Sequence, residues 1–207
     1  RYRLVVVQSP SRARMCGFGD KDRRPLSPTL IVKLIIYDVQ SGRELAATDV
    51  DTSAFFLASD LVHPSELDAA PRNLLVHHHA AAVSAQQAGP HAPPTTVMTE
   101  TYTRNFVGAC VASANILKDE SEQLGIFFVL QDLSVRTEGV YRIKLTLANL
   151  SSSTDGQIRQ GVSEALAEAY TDPFTVYTPR RFPGVIEPTA LSKKFAAQGV
   201  KIPVRVD

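Results

Sequence analysis

The sequence is poor in the features that would mark a cross-linked, membrane-spanning or polycationic protein. Its two cysteines, Cys16 and Cys110, are too few for a disulfide-dense secreted scaffold. The longest unbroken strongly apolar run, Ile126 to Leu130, falls far short of the ~20 apolar residues a transmembrane helix needs. Neither charge sign dominates: Lys+Arg 22 against Asp+Glu 21 gives a net charge of +1. Nucleic acid, if bound, must therefore be held by a local patch. Four of the five histidines (His77, His78, His79 and His91) fall in one low-complexity stretch, and the fifth, His63, precedes Pro64. No histidine with an orienting acid is thus placed around Cys16, which argues against a Cys/His hydrolase. The chain opens at Arg1 rather than Met, so we expect a trimmed piece whose targeting signals lie out of view.

What is present is an ordinary globular composition, 44% hydrophobic and 21% charged over 207 residues. Residues 1–207 read as a single domain. Residues 2–8 are apolar and β-branched, a strand stopped by Ser9-Pro10. Residues 30–38 make a second strand, followed by a Ser41-Gly42 turn. Further strands are expected at 54–58, 73–76, 107–114, 125–132 and 140–150. In the last, Tyr141, Ile143, Leu145 and Leu147 alternate with Arg142, Lys144 and Thr146. That period of two predicts one face in the core and one in solvent. Many short strands between turns predict a mainly β protein, a β-sandwich with a few short helices.

Helix signals are few. Residues 188–198 have Pro188 near the start, Gly199 as a stop, and Leu191 and Phe195 spaced for a buried stripe. Residues 163–170 are helix-prone by composition. Residues 77–96 combine three consecutive histidines, an alanine run and Pro90, Pro93 and Pro94. We expect a flexible solvated insertion there, too poor in large apolar groups to offset ordering entropy. A shorter flexible loop is expected at 151–160. Consecutive histidines alternate sides on an extended chain and, His91 apart, lack partners at ligand spacing, so no metal or cofactor is expected. Asn149-Leu150-Ser151 matches a glycosylation sequon, but nothing visible places the chain in a secretory pathway.

One segment carries chemistry. Between Arg12 and Arg24, five cations (Arg12, Arg14, Lys21, Arg23 and Arg24) and two acids (Asp20 and Asp22) give a local charge of +3. Gly17 and Gly19 let the backbone turn and approach a partner closely. Arg12 and Arg14, two apart, point the same way on an extended segment. Arginine's planar fork suits phosphate and the guanine edge. The competing reading is a solvated charged loop. A phosphate-binding P-loop fits poorly, since Gly-Lys-Ser/Thr and a following helix start are missing. A second cluster has six cations, Arg180, Arg181, Lys193, Lys194, Lys201 and Arg205, against one acid, Glu187. Lys193, Lys194 and Lys201 are candidate secondary DNA contacts, or simply keep the helix soluble. Arg136 reads as a turn or rim residue with an acidic partner. Cys110 reads as a small buried hydrophobe. Cys16, beside arginines, is a candidate oxidisable thiol.

Three blocks resemble one family. The first is Gln8-Ser-Pro-Ser-Arg12-Ala-Arg-Met-Cys-Gly-Phe-Gly-Asp-Lys-Asp-Arg-Arg-Pro25. The second is Gly125-Ile-Phe-Phe-Val-Leu-Gln-Asp-Leu-Ser-Val-Arg-Thr-Glu-Gly139. The third runs from Pro173-Phe-Thr-Val-Tyr177 through Arg180-Arg-Phe-Pro-Gly-Val-Ile-Glu187 and Leu191-Ser-Lys-Lys-Phe195 to Gly199-Val-Lys-Ile-Pro-Val-Arg205. Their order and wording resemble the velvet domain of fungal developmental regulators, and the middle block resembles the VelB-like and VelC-like branches. The departures are the insertion at 77–96 and Ser27-Pro28-Thr29 where a proline run is common.

The resemblance implies an immunoglobulin-like sandwich related to the Rel-homology region. It implies a non-enzymatic, sequence-specific regulator of development, sporulation and secondary metabolism. Its partners would be double-stranded DNA and other velvet proteins, or a second copy of itself, with no membrane and no small-molecule substrate. The setting would be the nucleus with a cytoplasmic pool, where both cysteines stay reduced. In the Rel fold the loop after the first strand grips DNA, so the contact role carries to Arg12, Arg14, Lys21, Arg23 and Arg24. The alternative is a dimerisation or adaptor module whose partner subunit makes the main DNA contacts.

Overall fold

The computed structural model describes residues 1–19, 23–65, 74–83, 96–150 and 164–202. The strands are β1 (Tyr2–Gln8), β2 (Arg12–Arg14), β3 (Leu30–Ile36), β4 (Phe55–Val62), β5 (Leu75–Val83), β6 (Thr96–Arg104) and β7 (Phe106–Gly108). They continue with β8 (Val111–Ser113), β9 (Asn115–Lys118), β10 (Leu124–Leu130), β11 (Leu133–Val135), β12 (Gly139–Asn149), β13 (Ala167–Tyr170) and β14 (Phe174–Tyr177). Two sheets face each other. The first has the order β1-β3-β10-β9 and the second β2-β14-β12-β4-β8, with β13 also on β12. Two small ladders, β7–β11 and β5–β6, complete the architecture. The expected mainly β sandwich is what the chain forms. Among the described residues no helix is long and apolar enough to cross a membrane.

The core follows from strand alternation. Val32, Leu34, Ile126 and Phe128 of the first sheet meet Leu57, Leu61, Ile143, Leu145 and Leu147 of the second. The next residues along β3 and β10, Ile31 and Phe127, point to the opposite face and are also buried. There they pack under α1 (Ala190–Ala197) with Leu117, Phe195 and Ile202. Both faces of β3 and β10 are thus covered, so these strands read as nearly unbroken apolar runs.

The helix starts where Thr189 accepts from the Ser192 amide at 3.0 Å, an N-cap one residue after the predicted Pro188 start. A buried knot fastens it to β1: Gln8 donates to Ser192 Oγ at 2.9 Å and accepts from Thr189 Oγ1 at 2.6 Å.

Several expectations needed correction. Residues 167–170, expected in a helix, form β13 against Leu147 to Lys144 of β12. Pairing with a buried strand outweighs helix propensity there. The predicted strand at 107–114 is two strands, β7 and β8, in different ladders. Lys144, expected in solvent, is only 8% exposed. It pairs with Glu168 of β13 at 2.6 Å and lies opposite Asp60 of β4. Part of the predicted insertion, from His77 to Val83, lies on β5 and pairs with β6. Residues 84–95, the expected loop at 151–160 and residues 203–207 lie outside the described residues.

Replacing Phe195, fully buried and 4.9 Å from the Phe127 ring centroid, by Ala is expected to lower stability by about 3–5 kcal/mol, read by urea denaturation. Burial raises the Asp60 pKa against the opposing pull of Lys144 and Arg104. The folded state therefore holds this proton more tightly than the unfolded chain. Its contribution is lost as pH rises from the ordinary aspartate value of 3.8 through the raised one. Asp60→Asn is expected to remove that slope from a pH series of denaturation midpoints.

Candidate nucleic-acid interface

The arginine segment begins on a strand. β2 pairs in parallel with β14, with Arg12, Ala13 and Arg14 opposite Thr175, Val176 and Tyr177. Ala13 is fully buried, whereas Arg12 and Arg14 are half-buried. The two arginines therefore share the face away from the core, as their spacing predicts. Placement on a strand corrects the expectation that both sit in the loop.

The loop proper leaves β2 at Met15 and returns at Ser27. Ser27 closes its stem by donating to Arg12 O at 2.9 Å and accepting from Arg12 N at 3.0 Å. Both limbs are strapped to β11: Cys16 N donates to Val135 O and Leu26 N to Leu133 O, each at 2.9 Å. Ser134 Oγ donates to Arg24 O at 2.9 Å, between the two limbs. Gly17, at φ 64, takes the left-handed conformation that turns the outgoing limb.

Arg23 and Arg24 are exposed on the returning limb. Lys21, with Asp20 and Asp22, lies outside the described residues. Arg23 forms an ion pair with Asp132 at 2.6 Å. Their side chains are 36% and 58% exposed, so water screens the pair, and it adds less than about 1 kcal/mol to stability. Gly108 makes room for it: a Cβ there would sit 1.8 Å from Asp132 O and 2.8 Å from Arg23 Nη2.

Arg136 lies in a turn, as expected. Among the described residues its guanidinium donates to two carbonyls, Gly17 O at 3.0 Å and Arg104 O at 3.1 Å. It also lies over the Phe18 ring, 5.8 Å from the centroid. The turn carrying Arg136 is built on Asn105, which is 1% exposed. Asn105 Oδ1 accepts from the amides of Arg136 and Thr137 and from Thr137 Oγ1, while its Nδ2 donates to Tyr141 Oη.

The parallel pairing decides which cations join this rim. β2 and β14 end at the same edge, so Arg180 and Arg181 emerge beside the arginine loop. Arg181 pairs with Glu138 at 2.9 Å. Lys193, Lys194 and Lys201 are held elsewhere, on α1 and its exit next to β9. β9 is an edge strand of the first sheet, joined through Ala114 alone to β8, which ends the second sheet at the side away from β2. Lys193 is exposed there, and Lys194 pairs with Glu122. Arg205 lies outside the described residues.

Neither cysteine is in a disulfide. Cys110, expected inside a strand, lies between β7 and β8, half-buried against the core. Burial pushes its thiol pKa up, which keeps it protonated and poorly reactive. Cys16 is half-buried, its sulfur 3.7 Å from Gly17 O.

The arrangement is a strapped loop and two flanking turns that present arginines at one edge of the sandwich. The chain's similarities agree with it. The Velvet factor family model matches residues 2–207. The chain belongs to the velvet family. Among velvet relatives, it is 48% identical to velvet complex subunit umv2 of Mycosarcoma maydis, aligning over all of this chain and 60% of that protein. It is 34% identical to velvet complex subunit 2 of Hypocrea jecorina, over all of this chain and 63% of that protein. It is 33% identical to velvet complex subunit RYP3 of Ajellomyces capsulatus, over all of this chain and 79% of that protein. This velvet chain thus spans less than two thirds of the first two relatives and about four fifths of the third.

Sequence reasoning missed Asp132 as the partner of Arg23, Asn105 as the base of the turn, and the contact of Arg136 with Phe18. Asp132 and Arg136 both stand in the second velvet-like block, but no local pattern reveals contacts across more than a hundred residues. Asn105→Ala is expected to lower stability by about 1–3 kcal/mol, because it strips partners from buried groups. It should also speed amide hydrogen exchange at Gly17, whose N–H donates to Arg136 O at 3.0 Å; exchange mass spectrometry checks both the site and the extent.

Proposed function

We propose that this velvet chain is a sequence-specific DNA-binding regulator of fungal development, sporulation and secondary metabolism, working as a homo- or heterodimer. The observation that carries the reading is the arginine loop strapped at both limbs to β11, with Arg180 and Arg181 beside it. Held limbs lower the ordering cost of binding, and arginine forks match phosphate and guanine. Arg12, Arg14, Lys21, Arg23 and Arg24 are assigned the DNA contacts. The relatives' names, velvet complex subunits, support assembly with other velvet proteins. Work on DNA calls for residence in the nucleus, with a cytoplasmic pool before import. No substrate chemistry enters this reading, and we infer a non-enzymatic role.

A second reading, an interaction module whose partner subunit makes the main DNA contacts, is favoured by apolar exposure near the β8–β9 side. Val111 is 56% exposed, Ile116 40% and Leu124 47%. Duplex titration of the chain alone at several salt concentrations separates the two readings.

If roughly five cations per subunit meet phosphates, log K should fall with log salt at a slope of about −4 to −5 per subunit. The triple substitution Lys21→Ala, Arg23→Ala, Arg24→Ala should abolish binding while leaving the melting temperature nearly unchanged, because exposed charges contribute little to folding. Unaltered affinity and slope in that variant would refute the site. Asp132→Asn releases Arg23 and is expected to tighten binding with little change in the slope, because Arg23 is already among the five cations counted.

A further inference from the structure

β9 has one place on its open side already filled. It pairs with β10 alone, and among the described residues no strand lies beyond it. Lys118 donates its N–H to Gln198 Oε1, and its carbonyl accepts from Gln198 Nε2, each at 2.8 Å. The glutamine amide thus imitates a neighbouring strand, and the Lys118 main chain faces away from β10. Main-chain direction repeats every second residue of an antiparallel pair, so the N–H and C=O of Ile116 face the same open side. No hydrogen bond joins them to a described residue. Beside Ile116 lies a cleft of about 440 Å³ between β9, the end of β10 and the chain leaving α1. Leu117, Val129 and Val200 line it and pack with the cluster under α1. Gln131 lines it too, and among the described residues its buried Oε1 has no hydrogen-bond donor. An acceptor left so costs about 1–3 kcal/mol, and folded chains keep few of them. Lys201 is exposed and is the one charged residue on the cleft wall. It has no ion pair among the described residues.

We propose that this edge docks an extended segment of a partner protein. The segment pairs with Ile116, sets a branched apolar side chain against Leu117, Val129 and Val200, and carries an acidic residue to Lys201. Each demand is read from the site. A main-chain donor and acceptor side by side are matched by another peptide main chain, the strand-addition mode of recognition. The Gln131 acceptor calls for an N–H, which the same peptide supplies. A lone cation selects a carboxylate. A lipid tail would leave Ile116 and Gln131 unmet. A nucleic-acid strand would meet one cation where its phosphates need a row of them. Gln198 fixes the register: it holds Lys118, so the incoming strand begins at Ile116 and runs toward β8. The proposal needs none of the loop arginines. It rests on the reading that this chain assembles with other proteins, and it names the surface and the chemistry of the partner.

The test offers the full chain a displayed library of random octapeptides, and the selected peptides are synthesised and titrated by fluorescence anisotropy. They are expected to share a branched apolar residue and an acid at fixed spacing. Methylating the one peptide nitrogen that donates to Ile116 O should weaken binding about tenfold, the effect of losing a main-chain hydrogen bond and stranding its partner. Ile116→Pro removes the strand's own donor at an edge position, where proline is tolerated, and should weaken binding likewise. Lys201→Glu should reject the acidic peptides and accept the same peptides with lysine in place of the acid. Gln131→Leu should weaken binding several-fold without lowering the melting temperature, whereas a purely structural glutamine would lower it. Should Ile116→Pro fail to fold, the methylated peptides and the charge swap decide. Peptides that bind the variants as they bind wild type overturn the proposal. So does an affinity that no single methylation changes, or a library from which wild type enriches nothing. Self-association lost in Ile116→Pro, with no peptide bound, overturns it in favour of a second copy on this edge. Assembly with a co-expressed velvet chain is measured alongside. Assembly that persists while peptides fail keeps the assembly reading and removes this one; assembly that is absent as well removes both.

Discussion

The three-residue parallel contact between β2 and β14 is the constraint on which the candidate interface depends. It joins Arg12–Arg14 to Thr175–Tyr177 across most of the chain. Because the two strands run the same way, the segments after them leave at one edge. An antiparallel pairing would send Arg180 and Arg181 to the opposite edge. Parallel neighbours cannot be made by a tight turn, so the contact requires the rest of the sandwich to form between them. The buried Ala13 lets β2 lie flat on the core while its flanking arginines face outward.

Crowding arginines at one edge carries a repulsive cost, and the structure relieves it in two ways. Asp132 and Glu138 neutralise Arg23 and Arg181 by exposed pairs. Gly17 and Arg104 offer carbonyls to Arg136. Screened pairs of this kind are weak, so a polyanion can exchange with them. The backbone ties to β11 are stronger in aggregate and hold the loop in place while side chains change partners. Electrostatics and scaffold are thus separated: hydrogen bonds of the main chain set position, and side chains set charge.

Much of the fold was legible because periodicity is a local property. β1 was read with its observed ends, and β12 was recognised from Tyr141, Ile143, Leu145 and Leu147, all buried. The failures have tertiary causes. Residues 167–170 are composed like a helix, but β12 offers them hydrogen-bonding partners along its length. Lys144 obeys the alternation yet is buried, because its face is flanked by β13 and β4. β2, three residues long, is too short for any period to show.

The candidate site divides along the same line. Charge density, the paired spacing of Arg12 and Arg14, and the glycine that turns the loop are properties of consecutive residues, and the sequence by itself determined them. It also determined the family, since three long blocks in order are written in the chain. Only the tertiary structure decided that Arg180 and Arg181 emerge beside the loop, that Lys194 pairs with Glu122, and that Arg23 meets Asp132. Those outcomes depend on strand order and direction, which arise when separate apolar faces bury one another and which no local spacing encodes.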